Sequence, residues 1–144
     1  MKYLLRLWLA LFLTMILCPC SVGLMAENVS FYKVPLVCGA APHIGCGSRI
    51  KPFFMETEKV ASIKESWTNR QGTILAFVWN GDATATEQGK VLQPLFEKHD
   101  IAAEYISENA EQNDLLASLS NDRGQWLKGM DVDLLSLEEA GVIA

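Results

Sequence analysis

Basic residues, histidine and the glycine-rich signatures of nucleotide enzymes are what this chain has little of. Its 144 residues carry 12 Lys and Arg against 17 Asp and Glu, a net charge of −5 at pH 7. Nucleic acid and anionic lipid are bound through basic surfaces, so this balance argues against both as partners. No Walker loop, Gly-x-Gly-x-x-Gly or Cys-x-x-Cys is present, which removes the usual sequence signals of phosphate cradling, dinucleotide binding and thioredoxin chemistry. There is no internal repeat and no low-complexity tract. The length argues for a single domain with appendages. With 2 histidines and 4 cysteines, any soft-metal chemistry is confined to a few positions.

The cysteines divide by place. Cys18 and Cys20 follow an apolar run, Leu7 to Leu17, behind Lys2 and Arg6. That run is shorter than the roughly 20 residues a bilayer span needs, and small residues follow it. Residues 1–26 therefore read as a secretory signal peptide cut after Ala26, with Ser21-Val22-Gly23 as the other site, which implies a periplasmic or secreted protein. A lipid-modified cysteine and an uncleaved anchor are the alternatives, although Leu17 and Pro19 are poor residues before a lipidated cysteine. Losing Lys2 and Arg6 with no acid takes the net charge from −5 to −7. Export also makes the two remaining cysteines, Cys38 and Cys46, candidates for a disulfide.

Hydrophobic period organises the rest. Residues 30–38 are apolar and β-prone, and 39–47 form a turn-rich loop. An amphipathic helix is expected over 49–61, with Ser48 as its cap and Pro52 in its first turn. Residues 63–68 and 73–79 read as a hairpin around the turn Asn69 to Gly72. A second helix is expected from Thr86, kinked or shortened by Pro94 and closed by His99-Asp100, followed by a strand over 102–106. This β-α-β-β-α-β order implies an α+β, ferredoxin-like sandwich with both helices on one face of a four-stranded antiparallel sheet. The domain spans 27–106. Residues 107–144 read as a helical C-terminal extension that covers the open face, with a capping-box pattern at Ser136 to Glu139 starting a last helix.

Cys46-Gly47-Ser48-Arg49-Ile50, then Val60-Ala61-Ser62-Ile63 and Gly72-Thr73, carry a resemblance. From about Val34 to Ile106 the chain resembles the heavy-metal-associated domain of copper chaperones, metal-pumping ATPases and the periplasmic mercury-binding protein. The resemblance covers about half the chain, at the level of pattern. That family holds its metal on a Cys-x-x-Cys between the first strand and first helix. Here Cys46 falls on the second cysteine and His43 on the first, so the motif becomes His43-Ile44-Gly45-Cys46. Cys38 falls on an apolar strand position. Paired thiolates suit Cu(I) and Hg(II), and one imidazole with one thiolate binds Cu(I) or Zn(II) less tightly.

Three readings of this loop stand side by side. In the first, His43 and Cys46 are metal ligands, a helix start favouring the thiolate, and Cys38 and His99 complete a set of four that would satisfy tetrahedral zinc. In the second, Cys38 and Cys46 form a disulfide, worth roughly 2–3 kcal/mol for so short a loop. In the third, Cys38 is a small core residue, His43 caps or hydrogen-bonds locally, and Cys46 is a free thiol at a helix start.

Elsewhere, Asp82 to Glu87 reads as helix capping. Asp131, Asp133, Glu138 and Glu139 lack the glycine and spacing of a calcium loop and read as a solvated acidic face. Ser48 has no nucleophilic partner, Arg49 reads as a surface ion pair, and Trp67 and Trp79 as packing residues. The expectation is a non-catalytic, exported soft-metal-binding protein whose partners are the ion and a membrane transporter or other envelope protein. A metal-free interaction module and a thiol-redox protein using Cys38 and Cys46 are the alternatives.

Overall fold

The computed structural model describes residues 28–129. The expected signal peptide and the helix expected from Ser136 lie outside the described residues. Elements follow in the order β1 (Val29–Lys33), α1 (Gly47–Thr57), β2 (Ile63–Asn69), β3 (Ile74–Trp79), α2 (Ala85–Lys98), β4 (Glu104–Tyr105), α3 (Asn109–Asn121), a 3-10 turn (Arg123–Gln125) and β5 (Trp126–Lys128). The fold is α+β, with one five-stranded sheet in the order β4-β1-β3-β2-β5. Every pairing is antiparallel. Among the described residues no helix is long and apolar enough to cross a membrane.

β1 and β3 are central strands with both faces covered, so their residues are buried almost without alternation. On the first face lie α1 and α2. α1 buries Ile50, Phe53, Phe54 and Thr57, the spacing of a single helical stripe. Phe53 stacks on Phe96 at 5.2 Å between ring centres, and both rings meet Phe77 of β3. Each such fully buried ring contributes about 1.5–3 kcal/mol of transfer free energy. Trp79 is also buried, its Nε1 donating to Ser30 Oγ at 2.8 Å.

The second face is covered by the tail. Phe31, Ala76, Ile106, Leu119 and Trp126 form its core, with Leu115, Trp67 and Ile74 packed at the margin. The expected cover is present, but it differs in form. Its described part is one helix and one strand, so the expected four-stranded sheet has five. Leu115 and Leu119 of α3 face the sheet, and Leu116 is 37% exposed.

Several boundaries also differ from expectation: β1 ends at Lys33 and not at 38, and α1 ends at Thr57 and not at 61. α1 begins at Gly47 with Cys46, not Ser48, as its N-cap. Pro52 accordingly falls in the second turn. α2 begins at Ala85 on a capping box in which Thr84 Oγ1 accepts from Glu87 N–H and Glu87 Oε2 accepts from Thr84 N–H at 2.8 Å. It runs past Pro94 to Lys98. β4 is two residues long, shorter than expected.

Candidate metal-binding loop

After β1 the chain stays extended, with Val34 and Leu36 N–H donating to the Thr73 and Gly72 carbonyls at 2.9 and 3.0 Å. It then doubles back. Val37 and Gly45 form an antiparallel bridge, flanked by bonds from Cys38 N–H to the Ile44 carbonyl at 2.9 Å and from Cys46 N–H to the Leu36 carbonyl at 2.7 Å. Leu36, Cys38 and Ile44 are buried, whereas Val37 is 37% exposed. Gly45 N–H donates to the Arg70 carbonyl at 2.6 Å, so this small hairpin is bolted to the β2–β3 turn. Asn69 builds that turn, its Oδ1 accepting from Thr73 and Ile74 N–H at 2.9 and 3.0 Å.

Cys46 is the last extended residue before α1, with φ −84 and ψ 95. Its carbonyl accepts from Arg49 and Ile50 N–H, and its side chain makes no cap bond to the helix. The sulfur is partly exposed and lies 3.2 Å from Ser48 Oγ. His43 is exposed, three residues upstream in the same hairpin, and among the described residues its ring has no hydrogen bond. Cys38 is buried at 8% exposure against the main core. Both cysteines are free thiols.

His99, the C-cap of α2, is placed elsewhere. Its ring meets Phe53 edge-on at 5.6 Å, and its buried Nε2 lies 3.3 Å from Glu56 Oε2 without the alignment of a hydrogen bond. Glu56 is ten residues beyond Cys46, about 15 Å along a helix. Lys98 Nζ also holds Glu56, at 2.8 and 3.0 Å from its two oxygens. That bond, with help from His99 and against partial burial, keeps the Glu56 carboxyl below its ordinary value. The structure therefore brings Cys38, His43 and Cys46 into one hairpin and leaves His99 with α1's second half. Among the described residues no three of His, Cys, Asp and Glu converge as a metal cage.

The weaker sequence candidates take structural places. Glu87 caps α2, and Arg49 donates to the Asp100 carbonyl at 3.0 Å. Trp67 donates to Glu65 Oε2 at 3.0 Å, while Lys128 Nζ bonds Glu65 Oε1 at 2.7 Å and sits over the Trp67 ring. Asp131, Asp133, Glu138 and Glu139 lie outside the described residues. What the sequence reading missed is the clamp made by Gly45, Arg70 and Gly72. The turn glycine was visible, but nothing local announces that a second glycine will pack on it.

A separate open groove of about 650 Å³ lies at the end of β1, lined by Lys33, Val34, Pro35, Thr73, Ile74 and residues 102–104. It holds no cysteine or histidine. Comparison with known proteins returned no match: no family model fits the chain, and no curated protein and no solved structure is similar enough to count.

Proposed function

We propose that this chain is an exported, non-catalytic protein that binds or hands on a soft metal ion through Cys46 and His43. The observation that carries the reading is the strand-to-helix corner itself. A partly exposed thiol stands at the N-cap of α1 with no cap bond to satisfy, and an exposed imidazole lies three residues before it on the same anchored hairpin. Helix N-termini favour an anion such as a thiolate. Two donors on an open loop suit Cu(I) or Hg(II), soft ions that accept few ligands, better than Zn(II), which wants four. A carrier needs just such an accessible site, with the ion as cargo. The element order of β1 to β4 supports reading those elements as a ferredoxin-like core to which α3 and β5 are added. The periplasm or the exterior is its place in this reading, and a membrane transporter or other envelope protein its partner.

Titrating the reduced protein with Cu(I) under a competing chelator tests the proposal. One ion per chain is expected, with binding lost in Cys46→Ser and weakened in His43→Ala. Absent binding, or binding unchanged in Cys46→Ser, would sink it and favour a metal-free interaction module.

A further inference from the structure

The bonds of the loop hairpin pair Leu36 with Cys46 and Cys38 with Ile44. Side chains alternate across such a ladder, so Cys38 and Cys46 share one face, on diagonal positions, while Val37 and Gly45 face the other way. Diagonal neighbours lie about 7–8 Å apart, and a disulfide needs its β-carbons about 3.5–4.5 Å apart. The gap is a few ångströms. The segment between them has room to close it, since a β-carbon on Gly39 would meet nothing within 4 Å and Ala40, Pro42 and His43 are exposed. The two residues differ in access: Cys46 is partly exposed and Cys38 is 8% exposed.

We infer that Cys46 and Cys38 are an entry sulfur and a resolving sulfur, and that their disulfide closes the metal site. The Cys46 thiolate attacks one sulfur of an external disulfide, such as oxidised glutathione. A mixed disulfide forms and one thiolate leaves. Cys38 then gives its proton to solvent and attacks the Cys46 sulfur, expelling the second thiolate. The two protein thiols lose two protons and two electrons, and the external disulfide is reduced to two thiols. A dithiol reductant reverses both steps. Because Cys46 supplies the thiolate ligand, the oxidised chain has no anchor for the ion. This regulatory consequence rests on the metal reading above, whereas the disulfide itself does not.

The test is exposure of the reduced full-length chain to oxidised glutathione, an alkylating quench, and peptide mapping by mass spectrometry. A linked Cys38–Cys46 peptide, lost on reduction, is expected. Cys38→Ala should stall with glutathione retained on Cys46, and Cys46→Ser should leave Cys38 unmodified, with circular dichroism showing that each variant is folded. Glutathione persisting on wild-type Cys46, modification of Cys38 first, or linkage to Cys18 or Cys20 would overturn the pairing. Cu(I) binding is then measured on oxidised and reduced protein. Binding only after reduction supports the whole proposal. A disulfide in a protein that never binds Cu(I) sinks the metal reading and keeps the thiol pair; Cu(I) binding without any disulfide does the reverse.

Discussion

Gly45 and Gly72 meet backbone to backbone: a β-carbon on Gly45 would lie 2.9 Å from Gly72 Cα, and one on Gly72 would lie 2.5 Å from the Leu36 carbonyl oxygen. Gly72 also has φ +70, a region that other residues enter at a cost of about 1–2 kcal/mol. The cysteine-bearing hairpin is thus held against the β2–β3 turn by the lack of two side chains. Gly72→Ala should destabilise by at least ~2 kcal/mol, strain and clash adding, as read by urea unfolding. Gly39→Ala, where the β-carbon meets nothing, should stay within ~0.5 kcal/mol. Equal effects at the two positions would mean that the clamp is not a constraint.

Trp126 closes the second face of the sheet. Its ring lies 6.3 Å from that of Phe31, and its Nε1 donates to Ser118 Oγ at 3.0 Å. Trp126→Ala should cost about 3–5 kcal/mol in thermal or urea unfolding, as for other buried aromatic truncations. Leu116→Ser, on the outer side of α3, should be near neutral. A mild Trp126→Ala would show that α3 and β5 add little to the stability of the sheet.

Tyr32 sets an alkaline limit. Burial, followed by the nearby Tyr105 and opposed by a hydrogen bond with Ser30, pushes its hydroxyl up to about 12 from 10.0. Above pH 10 the unfolded chain releases this proton while the folded chain retains it, so ionisation favours unfolding. The contribution is complete below pH 10 and is lost as pH climbs toward 12. Denaturant midpoints measured from pH 8 to 12 should fall more steeply for the wild type than for Tyr32→Phe. Parallel curves would remove Tyr32 from the account.

His99→Gln separates two ligand sets. Since the ring sits against Phe53 and Glu56, about two to three helical turns from Cys46, Cu(I) affinity in a competition titration should change by less than about twofold. That is ~0.4 kcal/mol at 1.4 kcal/mol per tenfold. A drop of tenfold or more would mean that His99 reaches the ion and that the four-residue set assembles on binding.

Much of the fold was legible because the decisive signals are local. Thr73 to Trp79 is a continuous run of apolar and β-branched residues, and it became the central strand β3. Asp82 to Glu87 reads as helix capping, and within it Thr84 and Glu87 form the box that starts α2. β5 was not legible, because Trp126 and Leu127 are an apolar pair in a polar stretch. They become a strand only by pairing with residues 67–69 of β2, a contact remote in sequence. The cap of α1 was missed for a related reason. Ser48 is the better capping residue by propensity, but the bond from Cys46 N–H to the Leu36 carbonyl holds the chain extended through Cys46, and the helix starts at once after it. That the His99 ring meets Phe53 and Glu56 was not legible, because the direction of a ring depends on how α2 is rotated on the sheet, which spacing along the chain does not encode.

Among the described residues the sheet ends in β4 and β5, strands of two and three residues. A neighbouring molecule arriving edge-on finds almost no ladder to extend, and on the β5 side Lys128 stands beside the approach. Crowding of copies should therefore not propagate this sheet from one molecule to the next, even though its central strands are as apolar as those of many aggregating segments.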